Sequence, residues 1–202
     1  MIWTSRVSSS NRSSNRPSSG FSRETKPGGL TYLVPARLLV EEGVALAFSL
    51  RHGGCSLAPF ATLNFSLSQG DHPANVQENR RRLLTGLDLP LPSLALVRQM
   101  HGADLRLVGR DRTGTAGDRL DDLPEADALI TGEKGVSLAV LTADCLPVVL
   151  VSRGGGPIAC IHAGRKGLAA GIVARAAASL RDMGADPERM LAFIGPGIRA
   201  CC

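Results

Sequence analysis

A thiol and an imidazole, Cys145 and His162, stand at the two ends of a pair of apolar runs joined by a glycine-rich turn. The runs, residues 146–151 and 158–161, flank Arg153-Gly154-Gly155-Gly156-Pro157, which is the pattern of a β-hairpin. Antiparallel pairing about that turn sets Cys145 opposite His162 at the open end of the hairpin, although a slip of one residue would send one of them to the other face. Two side chains of these types can hold a metal ion, or they can act as nucleophile and base. Cysteines and strand-end histidines are more often plain structural groups, so the surroundings decide. Cys145 follows the polar break Thr142-Ala143-Asp144, and His162 opens the small-residue loop Ala163-Gly164-Arg165-Lys166-Gly167 that leads into a helix. Backbone amides at such a helix start, with two cations beside them, suit an anion. A further imidazole, His101, ends another apolar run in Gln99-Met100-His101-Gly102, and Arg51 ends a third in Arg51-His52-Gly53-Gly54.

These groups need elements to position them. Strands are predicted over residues 30–34 and 44–50, with a turn near Glu41-Glu42-Gly43, and the paired glycines 53 and 54 free the backbone for a tight loop after Arg51. A helix over about residues 75–84 turns Val76, Leu83, Leu84 and Leu87 inward, capped by Asp71 or Asn75 with Pro73 in its first turn. Its run Arg80-Arg81-Arg82 is a wet face rather than a binding patch. Strands over 94–97 and 105–108 surround His101, and 109–126 reads as a polar surface loop. A second hairpin is expected from 128–131 and 136–141 about Gly132-Glu133-Lys134-Gly135. Leu168, Ile172, Val173, Ala176, Leu180 and Met183 recur at helical spacing, and Gly184 ends that helix. A last strand, 190–194, precedes Gly195-Pro196-Gly197-Ile198-Arg199-Ala200-Cys201-Cys202. With neither a polar tail nor a closing element after it, the sequence reads as a fragment.

The 202 residues suit one domain with an appended tail. Of the net charge of +5, most belongs to residues 1–29, where Arg6, Arg12, Arg16, Arg23 and Lys26 face Glu24 alone. The body is nearly neutral and poor in aromatics, which argues against nucleic acid as a partner of the folded part. The Ser- and Arg-rich stretch 1–29 is expected to be a disordered leader, with the folded domain over 30–202. No apolar stretch is long enough to span a membrane. Five cysteines, an odd number without an export signal, point to reduced thiols and a cytoplasmic location.

Seven short motifs, in order, carry a resemblance: Arg51-x-Gly53-Gly54, Leu63-Asn64 with Gly70-Asp71, Val76-x-x-Asn79-Arg80, Gln99-x-His101-Gly102, Ala126-Asp127-Ala128, Thr142-Ala143-Asp144-Cys145-x-Pro147-Val148 and His162-Ala163-Gly164-x-x-Gly167. Together they resemble the laccase-like multicopper polyphenol oxidase family, also described as purine nucleoside phosphorylases with adenosine deaminase side activity. The resemblance implies an α+β fold with a four-layer α/β/β/α order and mixed β-sheets, here cut short at the C-terminus. It also implies Zn²⁺ on His101, Cys145 and His162, with copper as the other metal tied to the family. Arg51 matches an active-site Arg of the family. Beyond the resemblance, Arg51 and Lys166, with amides near Gly164 and Gly167, are expected to hold phosphate. Asn64 is expected to bind substrate, and Cys145, Arg51 and Asp144 to serve catalysis, with a strand-end cap as the other reading of Asp144. The expected partners are phosphate and a purine nucleoside: adenosine, inosine or S-methyl-5′-thioadenosine. One departure is Arg165, which stands where the family often has Trp, and the usual residues beyond the Gly195-Pro196 motif are missing.

Two imidazoles and a thiolate leave a zinc ion one open position, the pattern of a catalytic site. Such an ion can bring the pKa of a bound water to roughly 7. The alternatives are a cysteine hydrolase with Cys145 as nucleophile and His162 as base, an enzyme that edits peptidoglycan precursors, or an inactive truncated fragment. A multicopper centre is disfavoured, because the chain has only His52, His72, His101 and His162.

Overall fold

A computed structural model describes residues 2–6, 20–35, 38–113 and 122–199. Among them the strands are β1 (Ile2–Arg6), β2 (Phe21–Thr25), β3 (Thr31–Pro35), β4 (Val44–Ser49), β5 (Leu94–Ala95), β6 (Leu105–Leu107), β7 (Ala128–Thr131), β8 (Ser137–Val140), β9 (Leu146–Ser152), β10 (Ile158–Ala163) and β11 (Met190–Ile194). The α-helices are α1 (Leu38–Glu42), α2 (Pro73–Gly86), α3 (Arg165–Ala169) and α4 (Ile172–Asp182). The strands form two mixed sheets, ordered β2-β3-β4-β1-β8-β5 and β11-β9-β10-β7-β6. In each sheet one pair is parallel, β5 with β8 and β6 with β7.

Period-two alternation sorts the side chains into separate cores. Val44, Leu46 and Phe48 of β4 meet Leu138 and Val140 of β8, Val149 and Val151 of β9, and Ile158 and Cys160 of β10, all between the sheets. Ala47 and Ala139, one step out of phase, pack instead with Leu83 and Leu84 of α2. In the second sheet Ile130, Val148, Leu150, Ala159 and Ile161 turn toward Ile172, Ala176 and Leu180 of α4. Each such aliphatic side chain contributes about 1.5–3 kcal/mol when fully buried. Cys160 lies wholly inside the core between the sheets, where burial pushes its thiol up to about 12. Glu42 joins the two sheets at one end: it accepts from the Gly154 amide at 2.9 Å and lies 3.6 Å from Arg153.

The β9–β10 hairpin forms, but its register places His162 opposite Pro147 rather than Cys145. The loop keeps the expected residues 153–157, and within it Arg153–Gly155 winds into a single helical turn. The offset is two residues, an even number, so no side chain changes face. The second expected hairpin does not exist. Strand β7 pairs with β10 and β6, whereas β8 pairs with β1 and β5, so residues 132–136 cross from one sheet to the other. All eight residues of β7 and β8 are buried, and such apolar segments carry no alternation that says which partner they choose.

Other boundaries also differ. The helix expected from residue 168 to 183 breaks at Gly171, which takes φ +76° and separates α3 from α4. Gly184, with φ +92°, ends α4 as expected. His72, not Asp71 or Asn75, is the cap of α2: its Nδ1 accepts from the Ala74 amide at 3.3 Å, with Pro73 in the first turn. Only Leu94–Ala95 of the 94–97 run is strand.

Two strands fall within residues 1–29, the expected disordered leader. β1 lies between β4 and β8, and β2 pairs along its length with β3. The short run Ile2-Trp3-Thr4 favours a strand locally, a signal averaged away by the Ser and Arg around it. Residues 1 and 7–19 of that stretch, residues 114–121 of the expected loop, and residues 200–202 lie outside the described residues.

Candidate metal centre

His162 ends β10 on the face shared with Ile158 and Cys160, and it is only 3% exposed. Asp127, which enters β7 beside it, fixes the residue twice. Its carbonyl accepts from the His162 amide at 2.8 Å, and its Oδ1 lies 2.7 Å from the His162 Nδ1. Burial lowers the His162 pKa below its ordinary 6.5, an effect that the Asp127 contact only partly opposes. The imidazole is therefore neutral at pH 7, as a metal ligand must be. With Nδ1 on the carboxylate, Nε2 is the nitrogen left for a cation.

His101 sits at φ +60°, unusual for a residue with a side chain. The same carboxylate explains it. Amides of Met100, His101 and Gly102 point to the Asp127 oxygens at 3.1, 2.9 and 2.7 Å, a run of N–H groups wrapped around an anion. Gln99 secures the other side of this turn. Its amide donates to the Leu141 carbonyl and accepts from the Leu141 amide, both at 2.7 Å, which ties the His101 turn to the segment entering Cys145. Cys145 itself is half-buried in the bend between β8 and β9. The Ile198 amide donates to the Asp144 carbonyl at 2.8 Å, and so braces that bend.

Together these supports bring His101, Cys145 and His162 to one place. One ligand atom from each lies within 4.8 Å of the others, and no other such group of metal-binding side chains occurs among the described residues. Zinc bonds of about 2.0–2.3 Å close that spread with small side-chain adjustments. The rings of His101 and His162 meet edge to face, 4.7 Å between centroids. Gly164 keeps the space clear: a Cβ there would stand 3.2 Å from the Cys145 Sγ, 3.3 Å from the His101 Cδ2 and 3.6 Å from the His162 Cε1. A thiolate with two imidazoles suits Zn²⁺ or copper as donors, so the residues fit a single ion. They do not fit several, since no second cluster of metal-binding side chains occurs among the described residues. His162 is buried and His101 exposed, so one side of the cluster opens to solvent.

The sequence pattern of the family described as multi-copper polyphenol oxidoreductase laccase fits residues 45–202. The chain belongs to that family. Its relatives include the purine nucleoside phosphorylase SCO2081 of Streptomyces coelicolor, 39% identical over 79% of this chain, and the purine nucleoside phosphorylase YfiH of Shigella flexneri, 37% identical over 84%. The chain spans 64% and 65% of these relatives' own lengths. Among solved structures of the laccase family's fold, YlmD from Geobacillus stearothermophilus matches with a TM-score of 0.74 and 30% identity, over 93% of this chain and 66% of that one. The Bacillus licheniformis hypothetical protein YfiH matches with a TM-score of 0.79 and 30% identity, over 85% and 64%.

Within the laccase-family framework, the remaining expected site residues divide. Gly167 is buried where α3 meets the His101 turn, and a Cβ on it would approach the Gly102 carbonyl oxygen to 2.5 Å. Backbone cannot swing aside, so Gly167→Ala is expected to destabilise the protein by about 1–3 kcal/mol, measured by urea unfolding. An unchanged midpoint would show that α3 is free to shift. Lys166 is exposed on α3. Arg51 donates through Nε and an Nη2 proton to the Ala61 carbonyl, at 3.2 and 2.7 Å, which leaves the rest of its guanidinium fork for an anion. Asn64 is committed inside its own loop, donating to Asp71 and the Ser66 carbonyl and accepting from the Ser66 amide. Asp144 is exposed, and the carboxylate that orients the His162 imidazole is Asp127 instead. Asp127 and Gln99 stand in two of the seven motifs, but the sequence assigns neither a role. The hint for Asp127 was an acid set between two alanines at the start of an apolar run.

Asp71 anchors the loop behind Arg51. Burial alone would raise its pKa, but hydrogen bonds from Asn64, Ser56, the His72 amide and Asn75 outweigh that and hold it below 3.8. The native state thus binds fewer protons than the unfolded chain at acid pH. The contribution of Asp71 is complete above its ordinary value and drains away as pH falls through the lowered native value. In denaturant titrations between pH 7 and 2, Asp71→Asn is expected to lose part of the acid slope seen in the wild type. Identical slopes would remove Asp71 from the acid response.

Proposed function

We propose that this chain is the zinc-binding part of a purine nucleoside phosphorylase acting on adenosine, inosine or S-methyl-5′-thioadenosine, with hydrolytic deamination of adenosine as a second activity. The observation that carries the proposal is the convergence of His101, Cys145 and His162 on one point, in a chain whose relatives are named purine nucleoside phosphorylases. In phosphorolysis a phosphate oxygen bonds to the ribose C1′, the bond from C1′ to the purine nitrogen breaks, and the purine leaves with a proton. In deamination, water replaces the C6 amino group and ammonia departs. When bound, zinc supplies Lewis acidity. The chain supplies the rest. Arg51 and Lys166, with amides of residues 164–167, hold phosphate through charge-assisted hydrogen bonds, and Asp144 faces outward toward the substrate amine. The three separate cores support the four-layer α/β/β/α order. No described helix is long and apolar enough to cross a membrane. Cys55, Cys145 and Cys160 are free thiols, which supports a reducing, cytoplasmic setting.

The test incubates the purified chain with adenosine, with and without phosphate, and identifies the products. Adenine with ribose 1-phosphate, formed only with phosphate and abolished by a chelator, is the expected result; inosine marks the deaminase. Absence of all of these from protein that carries its metal would end the proposal for this chain.

A second reading draws on one specific observation. Cys145, His162 and Asp127 stand in the order nucleophile, base and orienting acid, the arrangement of a cysteine hydrolase. Activity in metal-free protein that is lost on alkylation of Cys145 would select it.

A further inference from the structure

We infer that Asp127 is a positioning residue that presents both imidazoles of the metal centre, selecting the Nδ1–H tautomer of His162 and holding the left-handed turn that carries His101. The inference deepens the metal reading above and rests on it. A carboxylate offers about four lone-pair positions, and here four donors take them. Oδ1 receives the His101 amide at 2.9 Å and the His162 Nδ1 at 2.7 Å; Oδ2 receives the Met100 and Gly102 amides at 3.1 and 2.7 Å. Three of the four are backbone N–H groups, which can only donate. The carboxylate is thus an acceptor throughout, the shared proton sits on the His162 ring, and Nε2 keeps its lone pair for a cation.

Asp127 is itself immobilised. Its amide donates to the Asp104 carbonyl at 2.9 Å, its carbonyl accepts from the His162 amide at 2.8 Å, and it is 1% exposed. Asparagine cannot replace it, because its NH₂ would confront amides that also donate. One side chain at the start of β7 therefore sets the stance of two ligands far apart in sequence.

The tautomer is read in the metal-free, full-length chain by long-range ¹H–¹⁵N NMR. The expected result is a protonated Nδ1 and a bare Nε2 on His162; the opposite tautomer overturns the inference, and this measurement decides even where a variant fails to fold. Zn²⁺ affinity is then compared by competition with a chromophoric chelator in the wild type, Asp127→Asn and Cys145→Ala. Asp127→Asn is expected to keep a cooperative thermal transition while its affinity falls about 10–100-fold. Unchanged affinity in Asp127→Asn beside lost affinity in Cys145→Ala overturns the role of Asp127 and leaves the metal centre standing. Unchanged affinity in both variants overturns the metal reading, and this inference with it.

Discussion

Cys145→Ala is expected to lower Zn²⁺ affinity by more than about 100-fold and to abolish the proposed phosphorolysis. Changes to groups that merely support a ligand already cost about 10–100-fold, and Cys145 is one of the three proposed ligands. It is also the soft, anionic one, so the two imidazoles that remain form a weaker and more positive site. The fold itself has little to lose. Cys145 is half-buried, and the brace on its bend runs between backbone groups, the Ile198 amide and the Asp144 carbonyl. Stability without metal should therefore shift by no more than about 0.5 kcal/mol. Chelator competition and thermal unfolding check the two halves separately. If the variant keeps full metal affinity and full turnover, the assignment is wrong. If affinity stays and only turnover is lost, Cys145 is a nucleophile.

Asn79→Ala is expected to cost about 2–5 kcal/mol. Asn79 is fully buried in α2, and its side chain is the hub of the loop that carries Arg51. Its Oδ1 accepts from the Cys55 amide at 2.8 Å, while Nδ2 donates to the Ser56 hydroxyl at 2.8 Å and the Asn64 carbonyl at 2.7 Å. Truncation strands the Cys55 amide and the Asn64 carbonyl, and each buried polar group left without a partner costs about 1–3 kcal/mol. Domains of this kind hold about 5–15 kcal/mol in reserve, so the variant should unfold at a much lower urea concentration. It should also bind phosphate more weakly, because the loop that positions Arg51 loosens. A loss under about 1 kcal/mol would mean that water enters and takes over these bonds.

The sequence marked the candidate site residues more readily than the strand pairing. His101 and His162 follow apolar runs and Cys145 precedes one, which marked them as strand-end residues, and the family resemblance joined the three as ligands. Their meeting point survives a register error in the β9–β10 hairpin because the error is even. The β7–β8 pair shows the opposite case: short, wholly buried strands separated by five residues look like a hairpin, yet each sheet claims one of them. Nothing local distinguishes a turn within a sheet from a step between sheets. The role of Asp127 stayed hidden for a related reason, since three of its partners are backbone amides, which every sequence has. Gly171 was visible as a glycine inside a helical pattern, but the apolar spacing continues through it and masks the break.

Cys160 gives the domain a built-in gauge of its own opening. Cys55 and Cys145 are partly exposed, and an alkylating reagent can meet them in the native protein. Cys160 lies between the sheets with its thiol pushed up to about 12, so it reacts only when the sandwich parts. Mass gain at that single position over time therefore counts excursions of the whole core, with no dye and no engineered probe.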